Sequence, residues 1–274
     1  MTGATFTVVE TRRPDLRSPF PDRFSARLVG QRVERVERRA KYLVVVLDSG
    51  DVLLMHLGMS GSFRVSAIDD DEASAETHSE GDASAKHDHV VFVMSSDAVI
   101  TFNDPRRFGS MTLVVRDERD RALAKLGPEP LAATFNAAAL ARACKGKRVS
   151  LKVALLDQRI VAGLGNIYVA EALNRTRLSP RRRASTLATR RGEPQPAAVR
   201  LAAAIKRVLN DAIATSLAWQ RAEASAGDDA SYFPHRFRVY DREGGRCRNS
   251  GCPGRIRRIV QAGRSTFYCP VCQR

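Results

Sequence analysis

The chain has 274 residues, 43% hydrophobic and 27% charged, an ordinary profile for folded domains and enough length for two or three of them. Its 45 Lys and Arg against 30 Asp and Glu give a formal net charge of +15, which points to a polyanionic partner, nucleic acid before an anionic membrane surface. No apolar run reaches membrane-spanning length, and Met1 to Glu10 lack the basic start and long apolar core of a signal peptide, so a cytoplasmic protein is expected.

Residues up to about 130 read as β-rich. Tyr42–Leu47 and Asp51–His56 flank Asp48-Ser49-Gly50 as a hairpin, and His89–Met94 and Ala98–Phe102 flank Ser95–Asp97 as a second one. Ser110–Val115 follows the Asp104-Pro105 turn as a further strand. Short sequential strands with tight turns predict antiparallel sheets packed as a sandwich. Between the hairpins, residues 66–85 hold seven acids and no Lys or Arg, so the rest of the chain carries +22. That stretch reads as a solvated loop facing away from any polyanion.

Leu126–Leu131, with two prolines and a glycine, marks a boundary. Beyond it the pattern turns helical. Phe135–Cys144 is Ala-rich, and Leu201, Ile205, Val208, Leu209 and Ala212 recur at helical spacing. Gly163–Tyr168 reads as a tight turn feeding a short helix, where backbone amides at a helix start can take a phosphate. From about residue 238 the chain becomes a compact Cys- and Arg-rich module.

Of the five cysteines, Cys144 stands inside a helix and reads as a small core residue. The other four form Cys247-x4-Cys252 and Cys269-x2-Cys272, with sixteen residues between the pairs. Two cysteine pairs across a hairpin-length spacer predict one structural zinc held by four thiolates; nothing indicates the oxidising compartment that disulfides require. The spacer carries Arg255, Arg257, Arg258 and Arg264, all able to reach phosphates. Two turns, His56–Gly61 and Asp104–Gly109, place Met59, Arg106 and Phe108 where they suit wedging into a base stack.

Eight segments carry a resemblance. They are Arg38–Leu43, His56–Ser62, Lys86–His89, Asp104–Gly109, Leu126–Leu131, Leu155–Tyr168, Tyr232–Tyr240 and Gly263–Cys269. In this order they closely resemble the bacterial formamidopyrimidine-DNA glycosylases, with the endonuclease VIII branch more distant, from about residue 13 to the C-terminus. The resemblance implies an α+β multidomain protein. It would have an N-terminal antiparallel β-sandwich over 1–125, a helix–two-turn–helix α domain over 126–237 and a C-terminal zinc-finger β-hairpin over 238–274. It implies a monomer that flips oxidised purines such as 8-oxoguanine out of damaged double-stranded DNA, cleaves the glycosidic bond and nicks the abasic site by β- and δ-elimination. It places the protein at the bacterial nucleoid.

Residue by residue, Lys41 matches the family's proton donor in β-elimination and Arg264 the arginine of δ-elimination. His87, Arg106 and Lys147 match DNA-contacting positions, and Asn166 the phosphate-binding asparagine. Met59, Arg106 and Phe108 match the trio that fills the gap left by the flipped base. Residues 222–236 match the loop that closes over the lesion, with a departing composition that puts lesion preference in question.

The family's nucleophile is an N-terminal proline followed by a glutamate, and Thr2 and Gly3 stand after Met1 here. One alignment sets Val9–Arg13 on the family's opening Val-Glu-Thr run. The preferred one sets Arg12–Arg17 on the strand after the family's first helix. Both leave the catalytic pair without a counterpart. An upstream start, a degenerate gene and a different nucleophile are the three explanations, the first favoured. A catalytically impaired lesion-binding protein is therefore the alternative to a glycosylase and abasic-site lyase, and an unrelated zinc-ribbon module would explain only the last segment.

Overall fold

The computed structural model describes residues 1–68, 85–223 and 237–274. The acidic stretch at 69–84 and most of the lesion-loop stretch, 224–236, lie outside the described residues. The chain divides into two compact units, Met1–Ala124 and Lys125–Arg274.

The first unit contains β1 (Phe6–Thr11), α1 (Phe24–Leu28), β2 (Val33–Arg39), β3 (Tyr42–Leu47), β4 (Val52–His56), β5 (Ser62–Ala67), β6 (Asp88–Met94), β7 (Ala98–Asn103), β8 (Ser110–Val114) and α2 (Arg116–Leu123). The strands form two antiparallel four-stranded sheets, ordered β1-β6-β7-β5 and β2-β3-β4-β8. Both expected hairpins are present, with Tyr42 opposite His56 in one and Val93 opposite Val99 in the other. Phe6, Phe92, Met94 and Phe102 of one sheet and Val45, Leu47, Leu53 and Met55 of the other share a single buried cluster, the core of a sandwich. Each such side chain contributes about 1.5–3 kcal/mol on burial. The outer face of the second sheet, Val44, Val46, Val52 and Leu54, is covered in part by Leu123 of α2. Phe6–Thr11 pairs antiparallel with β6 as an edge strand of the first sheet.

The second unit contains α3 (Ala137–Cys144), α4 (Leu151–Leu156), α5 (Asn166–Arg175), α6 (Pro196–Glu223), β9 (Arg257–Gln261) and β10 (Arg264–Tyr268). The Ala-rich helix starts two residues later than its composition suggests, because Asn136 caps it by accepting the Ala139 N–H at 2.9 Å. Leu140, Leu155, Val169, Leu173, Leu201 and Ile205 close a helical core, and Cys144 lies inside it as expected. Burial raises the Cys144 thiol pKa to about 11, a chemically quiet group. Among the described residues no helix is long and apolar enough to cross a membrane.

The β9–β10 hairpin packs onto α5 within this unit. Ala170 of α5 joins Val239, Ile256, Phe267 and Cys269 in one small core. Buried polar groups fasten the same contact. The Glu171 carboxylate accepts the N–H groups of Arg238, Val239 and Tyr240 at 2.9–3.1 Å. Asn174 donates to Gln273 Oε1 at 3.0 Å, and Gln273 donates to the Leu178 carbonyl at 2.9 Å.

Candidate nucleic-acid interface and metal centre

In the first unit the sequence builds three turns around one buried acid. Met59 stands on the turn between β4 and β5 and is 69% exposed; Phe108 on the turn between β7 and β8 is 41% exposed. Both are large apolar side chains left in solvent by the fold, the state expected of a wedge that enters a base stack. The Arg106 guanidinium lies 5.1 Å from the centre of the Phe108 ring, a cation–π contact. The two turns touch backbone to backbone. A Cβ on Gly58, whose φ is +70°, would stand 2.4 Å from the Phe108 carbonyl carbon, so glycine is required there. Asp104, fully buried, accepts the Ser60 hydroxyl at 2.6 Å and the Gly109 N–H at 2.7 Å. The Asp104 N–H donates to the carbonyl of His87, which brings the third turn into the same group.

Lys41 stands at the second place of a two-residue turn between β2 and β3, where Arg39 faces Tyr42 and Ala40 takes φ 54°. The Arg38 guanidinium donates to the Ala40 carbonyl at 2.8 Å and fixes that turn. Next to Lys41 is His56, whose ring meets Tyr42 edge-on at 5.1 Å. Its pKa is lowered by burial, then by Lys41 and Arg17. His56 Nδ1 accepts the Gly58 N–H at 2.9 Å, so the neutral ring carries its proton on Nε2. In the sequence His56 stands out only as part of a motif; its place opposite Tyr42 in the β3–β4 register is what joins it to Lys41.

In the second unit Asn166 opens α5 after Gly165, which provides no side-chain cap, leaving the first-turn amides of the helix unsatisfied by a side chain. Gln158 moulds the preceding turn: it accepts the Gly163 N–H at 2.9 Å and donates to the Leu156 and Leu164 carbonyls at 3.0 Å. The Asn166 amide donates to the Ser265 carbonyl at 3.0 Å, tying the helix start to the strand that begins at Arg264. Arg264 follows a two-residue turn, Ala262-Gly263, with φ 48° and 71°, the doubly left-handed geometry that suits a hairpin. Lys152 was not singled out from the sequence. It is fully buried, its Nζ lies 3.5 Å from the same Ser265 carbonyl, and burial, then the charge of Arg264, lowers its pKa to about 8. Only proximity across more than a hundred residues reveals it. Lys147, half-buried, lies between α3 and α4 and bears electrostatically on Asp157.

Cys247, Cys252, Cys269 and Cys272 bring their four Sγ atoms within 4.8 Å of one another. The Cys247–Cys272 and Cys252–Cys269 sulfur pairs are 3.7 and 3.6 Å apart. Those separations exceed the roughly 2.05 Å of a disulfide. They match the roughly 3.8 Å edge of a tetrahedron with Zn–S bonds of about 2.3 Å. Donors surround the sulfurs: Asn249 N–H to Cys247 at 3.5 Å, Gly254 N–H to Cys252 at 3.4 Å and the Asn249 amide to Cys272 at 3.3 Å. A Cβ on Gly254 would fall 2.5 Å from Cys269 Sγ, so the sulfur cage admits only glycine there. The residues fit a thiolate-bound metal ion.

Comparison with known proteins bears on the same residues. Residues 1–111 match the family model of the formamidopyrimidine-DNA glycosylase N-terminal domain, and residues 126–221 that of the formamidopyrimidine-DNA glycosylase H2TH domain. The chain is 58% identical over 276 residues to the formamidopyrimidine-DNA glycosylase of Bradyrhizobium sp. strain BTAi1, covering 100% of this chain and 94% of the relative. It is 55% identical to that of Methylobacterium sp. strain 4-46, covering 100% and 93%. Among solved structures it is similar to the Lactococcus lactis Fpg in complex with abasic-site DNA, with TM-score 0.79, 27% identity and coverage of 100% and 94%. It is also similar to MutM in complex with DNA containing carbocyclic 8-oxo-G, with TM-score 0.79, 26% identity and the same coverage. Two matched domains and full-length relatives above half identity leave one conclusion: the chain belongs to the formamidopyrimidine-DNA glycosylase family.

Proposed function

We propose that this chain carries out base-excision repair: it extrudes an oxidised purine, 8-oxoguanine or a formamidopyrimidine, from duplex DNA, releases the base and cleaves the abasic strand by β- and δ-elimination. The observation that carries this reading is the convergence of Met59, Arg106 and Phe108 on abutting turns braced by one buried acid. A DNA-binding protein that only tracks phosphates has no use for exposed Met and Phe side chains held rigidly. Family membership favours the enzyme over a lesion-binding protein without activity.

Met59 and Phe108 fill the gap left by the extruded nucleotide while Arg106 probes the opposite strand. His87, Lys147 and Asn166 hold phosphates, Asn166 with help from the α5 amides. The Nε2–H of His56 offers a further donor beside Lys41. The Lys41 ammonium neutralises the phosphate next to the lesion and donates the proton for β-elimination; Arg264 does the same for δ-elimination. A charged group aimed at a departing phosphate lowers the barrier because it meets charge as it develops. One zinc ion bound by Cys247, Cys252, Cys269 and Cys272 would hold the hairpin that presents Arg264, a structural role. The protein acts as a monomer at the bacterial nucleoid.

The test is incubation with a duplex carrying one 8-oxoguanine. Release of the free base, with a strand break bearing phosphate on both ends, supports the reading. Preferential binding of that duplex with no base released overturns it in favour of the lesion-binding alternative.

A further inference from the structure

Asp104 uses every polar atom it has. Its N–H donates to the His87 carbonyl at 3.0 Å, and its carbonyl accepts the Arg107 N–H at 3.1 Å and the His89 ring at 2.9 Å through Nε2. Its carboxylate accepts the Ser60 hydroxyl at 2.6 Å and the Gly109 N–H at 2.7 Å. Ser60 Oγ in turn accepts the Arg106 N–H at 3.2 Å. A carboxylate without solvent exposure is tolerated only when hydrogen-bonded in this way. The side chain has no exposed atom with which to meet DNA, and the sheet core is complete without it. Its bonds go to the backbones and hydroxyl that set where Met59, Arg106 and Phe108 stand. Arg107, between the last two, takes a left-handed φ of 54°, a conformation unfavourable to a side chain and secured by its bond to the Asp104 carbonyl.

We infer that Asp104 is a positioning residue for base extrusion: through Ser60 and the Gly109 amide it locks the Met59 turn to the Arg106–Phe108 turn, so that the wedge meets the duplex already formed. This rests on the wedge reading proposed above. Strand cleavage at a ready-made abasic site, where no base remains to be extruded, depends on it less. The carboxylate is the part that matters, because an asparagine offers only one acceptor oxygen and turns an amide donor toward Ser60.

The experiment compares full-length wild type, Asp104→Asn and Ser60→Ala. Three readouts are taken: fluorescence of a 2-aminopurine placed beside the lesion site, single-turnover base excision from an 8-oxoguanine duplex, and cleavage of a preformed abasic duplex. Thermal melting is followed alongside. Asp104→Asn should reduce excision about 10- to 100-fold, the cost of misplacing a group by roughly 1 Å. It should abolish most of the 2-aminopurine rise at saturating protein and change abasic cleavage by less than about 3-fold. Ser60→Ala, which removes one hydroxyl from an exposed turn, should show the same pattern on a smaller scale and decides the matter if Asp104→Asn does not fold. Wild-type fluorescence and excision in a folded variant overturn the inference. So does a loss shared equally by all readouts and tracking the melting temperature, which marks a merely structural role. If wild type releases no base, the enzymatic reading fails, while the fluorescence of the bound duplex still judges Asp104.

Discussion

The two units secure the residues proposed to meet DNA by different means. In the first, a broad apolar sandwich core supports short turns, and one carboxylate and a few glycines set the last ångström. In the second, the hairpin that carries Arg264 has a core of only five buried residues, one of them lent by α5. It relies on buried polar anchors and four sulfurs instead. Small segments cannot bury enough apolar surface to hold themselves and need a staple. The difference predicts which insults each unit survives.

The largest effect should come from the metal. A strong chelator should remove one zinc per chain and lower duplex affinity on the order of 100- to 1000-fold, the cost of losing two or three charged donors to phosphate at about 1.5 kcal/mol each. Sheet signals of the first unit in hydrogen exchange should be unchanged. Metal analysis and titration on the same sample check both halves, and collapse of the first unit with the finger would break the comparison.

Next comes the polar anchor. Glu171→Gln removes the negative charge that faces three backbone N–H groups and turns an amide donor toward the Arg238 N–H that Oε2 accepts. It should cost about 2–3 kcal/mol and lower the melting of the second unit by roughly 5–10 °C. Gly58→Ala is the counterpart in the first unit, forcing a Cβ against Phe108, and should cost about 2 kcal/mol there. Calorimetry with two resolved transitions would sharpen the comparison; each variant should move one of them.

Much of this plan was legible in the sequence. The β3–β4 and β6–β7 hairpins show as apolar runs around short polar turns, and the four-cysteine cluster shows in its spacing. The edge strands β2 and β5 do not, because Val33–Arg39 is charge-laden and Ser62–Ala67 is mostly exposed, as edges that resist pairing must be. The motifs bearing Met59, Phe108 and Arg264 were visible as motifs, but their supports were not. Asp104 meets Ser60 across 44 positions, Glu171 meets Val239 across 68, and Lys152 meets Ser265 across 113. Pairings at such separations leave no local period, so nothing in the sequence marks these two acids and this lysine as buried.

Lys152 offers a subtler test. With its pKa lowered to about 8 in the fold, it sheds its proton earlier than the unfolded chain, where lysine holds it to roughly 10.4. Between those pH values the unfolded state binds more protons, so stability of the second unit should rise with pH, by about 1–3 kcal/mol across the window. Lys152→Met should flatten that rise and leave the unit at least as stable at pH 7, as denaturant titrations at pH 7, 8.5 and 10 would reveal. The smallest expected effect is that of Lys147→Ala. It should weaken damaged and undamaged duplex alike and reduce the slope of log affinity against log salt by about 0.9.

The most direct test of the division of labour sets Phe108→Ala against Arg264→Ala on two substrates, an 8-oxoguanine duplex and a preformed abasic duplex, under single-turnover conditions. The account predicts a crossed pattern. Phe108→Ala should lose excision at least about 10-fold and keep abasic cleavage, whereas Arg264→Ala should lose the δ-elimination product on both substrates by about 100-fold and release the base at near the normal rate. Equal losses for both variants on both substrates would contradict it.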